Sequence, residues 1–125
     1  MTAVYDAGAL IAADRSDRTV WAEHRARLEL GVPPVTTAPV VAQVSRSGRQ
    51  AQLRRFLRGC DVSSFDPEEA HEVGALAGKS GVADVVDVQL VAVAARHGFG
   101  IVTSDEEDLR PIVDTLSSPV PLFGL

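Results

Sequence analysis

Residues 84–109 read DVVDVQLVAVAARHGFGIVTSDEEDL. The apolar run after Asp84 predicts a largely buried helix, with Gly98 as its stop. After a short turn, residues from about Gly100 to Thr103 read as a buried strand. That strand delivers the chain into four consecutive acids, Asp105, Glu106, Glu107 and Asp108. A buried helix, a buried strand and an acidic exit, in this order, describe half of an α/β unit. Ligands of open parallel sheets bind beyond the carboxyl ends of the strands, which is where these acids fall.

Working outward, the alternation continues in both directions. TAVYD is a short strand candidate ending in Asp6, and AGALIAAD after it is compatible with a helix. DRTVWAEHRARLEL predicts a second helix, stopped by Gly31, Pro33 and Pro34. VTT is a strand candidate, and APVVAQVSR forms a helix entered through Pro39, with RQAQLRRFLR continuing helically to Gly59. DVSSF is a weak third strand. DPEEAHEVGALAGK carries the clearest helix start, with Asp66 as N-cap, Pro67 at the first position and two glutamates in the first turn. Downstream, EEDLRPIVDTL predicts a short helix interrupted by Pro111, and VPLFGL an edge strand, since Pro121 suits no central one. Strands alternating with helices predict an α/β fold, a three-layer sandwich with a mainly parallel central sheet and helices on both faces.

The chain has 125 residues, 46% of them hydrophobic, which is enough for a single domain spanning 1–125 with its own core. No apolar run approaches the roughly 18 residues of a membrane span, so the expectation is a soluble protein. Cys60 is the only cysteine. That removes any disulfide framework and any Cys-based metal motif, and it fits a cytoplasmic location.

The net charge is -5, unevenly spread. Residues 43–59 hold five arginines and no acid, whereas residues 84–114 hold seven acids and two arginines. Arg54, Arg55 and Arg58 flank Leu53, Phe56 and Leu57 at helical spacing, the pattern of a solvated helix face. The same arginines also suit a phosphate backbone or an acidic partner.

Asp6 follows the first strand and Asp105 the fourth, so both sit at the carboxyl edge, and they meet if those strands are neighbours. Asp84 and Asp87 open the helix that leads into the fourth strand and begin on the same side. Five aspartates can therefore share one crevice: Asp6, Asp84, Asp87, Asp105 and Asp108. Helix capping accounts for four of them one at a time, because an acid stabilises a helix N-terminus by about 0.3–1 kcal/mol. It gives no reason for Asp6 to join them. Clustered carboxylates repel and raise one another's pKa unless a cation neutralises them, and Mg²⁺ is held by a few carboxylates with water and substrate phosphate.

Together, VYDAGALIA, APVVAQVSR and residues 84–109 resemble the PIN domain family, most closely its VapC-type toxins of bacterial toxin–antitoxin pairs. The resemblance covers nearly the whole chain. It implies a five-stranded parallel sheet and a Mg²⁺- or Mn²⁺-dependent endoribonuclease acting on RNA of the tRNA or rRNA class. It also implies a small VapB-type antitoxin and a homodimer. By position, it makes Asp6, Asp87 and Asp105 catalytic acids and metal ligands, with Asp108 a further ligand, and Thr103 and Ser104 supporting hydroxyls. Gln43 stands where the family usually has Glu. The lost charge weakens a hard-cation site, and Asp84, one helical turn before Asp87, is placed to restore it. The alternative reading is a catalytically degenerate PIN domain that binds protein or RNA. Arg46 and Arg49 are the candidate RNA-binding residues. Receiver domains and haloacid-type phosphatases are disfavoured, since the first strand ends in DAG rather than paired acids and Lys79 is the only lysine.

Overall fold

The computed structural model describes residues 2–125. Twelve elements alternate as expected: β1 (Ala3–Tyr5), α1 (Ala7–Asp14), α2 (Arg18–Glu29), β2 (Val35–Thr37), α3 (Ala38–Val44), α4 (Ala51–Arg58), β3 (Asp61–Ser63), α5 (Pro67–Ser80), α6 (Val85–His97), β4 (Gly100–Thr103), α7 (Glu106–Val113) and β5 (Leu122–Gly124). The strands form one parallel sheet in the order β3-β2-β1-β4-β5. β1 is central, and its Tyr5 lies opposite Val102 of β4. This adjacency carries Asp6 and Asp105 to the same edge. The order reverses at β1, where β1 pairs with β2 on one side and β4 on the other. A crevice opens outside the strand ends at such a switch point.

One face of the sheet is covered by α1, with α2, α3 and α4 packed around it; the other is covered by α6, with α5 and α7 beside it. Every residue of α6 from Val88 to Ala94 is buried, which is why that helix reads as apolar on all sides. Gly98 closes it at φ 72°, a left-handed conformation that favours glycine. On its outer side, Arg96 of α6 reaches the buried Glu69 of α5 at 3.0 Å. The α1 side closes on an aromatic cluster. His24 stacks on Phe56 at 3.9 Å between centroids, and its Nδ1 lies 2.9 Å from the Tyr5 hydroxyl. His24 is thus a core residue.

Two local expectations are corrected. The helical run through residues 38–59 breaks at residues 45–50, because the Gln50 side chain satisfies the end of α3. Its carboxamide oxygen accepts from the N–H groups of Arg46 (2.6 Å) and Ser47 (3.1 Å), and its nitrogen donates to Val44 O (2.9 Å) and Asp14 Oδ2 (3.2 Å). The second correction concerns Pro111, which does not interrupt α7: the helix continues to Val113. Pro111 lies on the exposed side, where an unpaired carbonyl meets water, while Leu109, Ile112 and Val113 on the buried side hold the turn in place.

Candidate active site

Asp6 is the first residue beyond β1 and the N-cap of α1, a role its sequence context did not announce. Its Oδ1 accepts from Ala7 N at 2.7 Å, and its Oδ2 accepts from the Thr103 hydroxyl at 2.7 Å. The same Thr103 oxygen accepts from Asp105 N at 2.9 Å. Thr103 is fully buried at the end of β4, so one hydroxyl fixes the rotamer of the first acid and the backbone of the second. Both sequence readings of Thr103, as strand-end residue and as support for the acids, describe the same atom.

Asp105 occupies the N-cap position of α7 and makes no side-chain cap bond. Its carboxylate is exposed and uncommitted, as is that of Asp108 one turn later. Asp84 does cap: its Oδ1 accepts from Val86 N (3.0 Å) and Asp87 N (3.3 Å) at the start of α6. Asp87 is half-buried one turn further on.

Among the described residues, no three or more His, Cys, Asp or Glu side chains stand close enough together to hold a metal ion as they are placed. The carboxylates nevertheless feel one another. Burial pushes the Asp6 carboxyl above its usual range against the opposing bonds from Thr103 and Ala7, and the charges of Asp105 and Asp84 push it further. Asp87 is pushed up to about 6, first by burial and then by Asp84, Asp6, Asp108 and Asp105. The five aspartates named from sequence therefore share one electrostatic neighbourhood at the carboxyl edge of the sheet. An open, all-oxygen set of this kind suits a hard divalent ion that keeps several waters.

The remaining candidates separate. Ser104 is exposed beside Asp105, and Gly8 of α1 packs so closely on it that a Cβ there would stand 2.9 Å from Ser104 Cβ. Gly8 was missed. Its signal was a glycine two residues after the first acid, where the loop after β4 must approach α1. Gln43 lies exposed near the end of α3. Arg46 and Arg49 lie on the exposed turn that Gln50 ties to Asp14, at the end of α1 remote from Asp6. The Arg46 guanidinium donates to the carbonyls of Ala42 and Ser45.

Comparison with known proteins places this geometry in a family. The PIN domain family matches residues 3–112. The chain therefore belongs to the PIN domain family. Its fold is also that of a chain in the crystal structure of VapBC2 from Rickettsia felis bound to a DNA fragment from their promoter, with 15% sequence identity and a TM-score of 0.71 over 100% of this chain and 99% of that one. No curated protein matches it.

Proposed function

We propose that this chain is a VapC-type toxin, a Mg²⁺- or Mn²⁺-dependent endoribonuclease that hydrolyses RNA phosphodiester bonds and is silenced by a VapB-type antitoxin in the cytoplasm. The observation that carries this reading is the shared electrostatic neighbourhood of Asp6, Asp84, Asp87, Asp105 and Asp108 at the sheet's switch point, where the Thr103 hydroxyl ties the Asp6 carboxylate to the backbone of Asp105.

In this reading Asp6, Asp87 and Asp105 hold the ion, with Asp84 and Asp108 adding charge to the same crevice. Bound there, a divalent ion lowers the pKa of a coordinated water and neutralises charge that develops on the phosphate. The chain's own residues supply charge and orientation. Thr103 holds the Asp6 carboxylate in one rotamer, so its free lone pairs keep a constant direction. Asp87, whose carboxyl burial and the neighbouring aspartates push up to about 6 in the metal-free chain, gains most from a cation that offsets this crowding of negative charge. Gln43 contributes no charge, and Asp84 makes up for it. Arg46 and Arg49 approach RNA from the side, Arg49 with the freer guanidinium. Family resemblance supports a substrate of the tRNA or rRNA class and a homodimer.

The test is cleavage of purified tRNA and ribosomal RNA fragments with Mg²⁺ or Mn²⁺, with and without chelator, alongside Asp6→Asn and Asp105→Asn. The expected result is discrete, metal-dependent cuts lost in both variants. Absence of cuts, together with no heat of Mg²⁺ binding by calorimetry, would replace the enzyme with a degenerate binding module.

A further inference from the structure

On the α1 side of the sheet, away from the acids, a groove of about 370 Å³ runs between α2 and α4, lined by Ser16, Arg18, Trp21, Arg25, Gln52 and Arg55 among others. Helical spacing builds it: Arg18, Trp21 and Arg25 recur at intervals of three and four on α2, and Gln52 and Arg55 at three on α4. No acid lines the groove, and none of its three arginines is in an ion pair among the described residues. In a chain of net charge -5, three unneutralised arginines around one opening are an unusual concentration of positive charge.

The groove is also held in shape. Trp21 Nε1 donates to Ala13 O at 2.9 Å, and the ring packs edge-on against Phe56 at 5.1 Å. The Arg55 guanidinium lies over the Trp21 ring at 5.4 Å and donates to Gln52 Oε1 at 3.1 Å. Arg55 is thus presented as a fixed, planar cation, suited to pair with a phosphate or to stack on a base.

We propose that this groove binds the phosphate backbone of single-stranded RNA and is the docking site for the nuclease substrate, a role that rests on the ribonuclease reading above. The groove starts at Ser16 and Arg18, just past the end of α1, and Asp6 stands at the other end of that eight-residue helix. That is about 12 Å at 1.5 Å per residue, a span that a few nucleotides cover. Arg18 and Arg25 neutralise successive phosphates, while Arg55, stacked on Trp21, offers a flat face to a base. An acidic peptide would satisfy the charges and leave that face unused.

Trp21 is the only tryptophan, so its emission reports on this groove alone. In chelator, where no cleavage occurs, a short oligouridine is titrated into the wild type, Asp6→Asn and the double variant Arg18→Ala/Arg25→Ala, which keeps Arg55 on Trp21. The expected result is a saturable change in Trp21 emission, equal in wild type and Asp6→Asn. In the double variant binding is weaker, and the slope of log K against log salt falls by about 1.4, or about 0.7 for each lost phosphate contact. No emission change in the wild type, or unchanged affinity and slope in the double variant, overturns the proposal. So does a groove that binds polyglutamate and not oligouridine, which would make it a face for an acidic protein. If Asp6→Asn still cuts RNA while the double variant loses binding, the assignment of the acids falls and the groove stands.

Discussion

At the N-terminus of α5, Asp66 accepts from Glu69 N at 2.8 Å; at the N-terminus of α7, Asp105 occupies the same position and accepts no such bond. Both aspartates precede acids in the first helical turn, Glu68 and Glu69 in one case, Glu106, Glu107 and Asp108 in the other. The carboxylate of Asp66 is consumed by the helix it starts. In α7 the equivalent N–H, that of Asp108, donates to the backbone carbonyl of Asp105 at 3.1 Å instead, which leaves the carboxylate available at the sheet edge. A capping signal in sequence therefore marks a position and not a task; the task depends on which neighbour the fold supplies.

The difference is largest in activity. Asp6→Asn and Asp105→Asn are expected to lower RNA cleavage by more than about 100-fold, beyond the range typical of groups that only support metal ligands. Asp66→Asn should leave it unchanged. Equal losses in single-turnover cleavage by all three would break the comparison. Thr103→Val comes next. It strips a partner from Asp6 and from Asp105 N and should cost roughly 10–100-fold in activity and about 1–3 kcal/mol in stability, read by cleavage and urea titration, with Thr103→Ser restoring most of both.

Asp87 provides a pH signature in metal-free protein. Unfolded, it loses its proton near 3.8, and folded near 6, so between these values the folded chain holds the extra proton and is favoured. Stability contributed by that proton is present below about 4 and is lost as pH rises through about 6. Asp87→Asn removes this dependence. It should be more stable than wild type by about 1–2 kcal/mol at pH 7.5 and no more stable at pH 4, after allowing for the half-exposed position. Equal gains at both pH values would show that the crowding of charge is not felt. The smallest effect is the cap itself. Asp66→Ala should cost about 1 kcal/mol in chemical denaturation, while Asp105→Ala should cost nothing, having no cap bond to lose.

Most of the fold was legible in the sequence, because short apolar runs ending at Asp6, Thr37 and Thr103 can only be strands when helices with clear starts separate them. The adjacency of β1 and β4 was not, since nothing local in AVY and GIVT encodes which strand lies beside which. The break between α3 and α4 was invisible for a related reason: it is made by four hydrogen bonds of one side chain, Gln50, which propensity does not register. At the site, the five aspartates could be named from their places after strands and at helix starts. The burial of Asp6 and the half-burial of Asp87 could not, nor the contact of Gly8 with Ser104, since both depend on elements distant in the chain. The arginine groove went unread because Arg18 and Arg25 lie outside the basic segment that drew attention, and α2 and α4 meet only when folded.

The bond from Thr103 to Asp6 joins residues 97 positions apart, and it sets a schedule. At a synthesis rate of about 5–20 residues per second, the first acid leaves the ribosome roughly 5–20 s before the residue that orients it. During that interval β1 has only one of its two neighbours to pair with, and the crevice does not exist. A nascent chain interrupted before β4 is thus an unfinished sheet with no assembled set of acids.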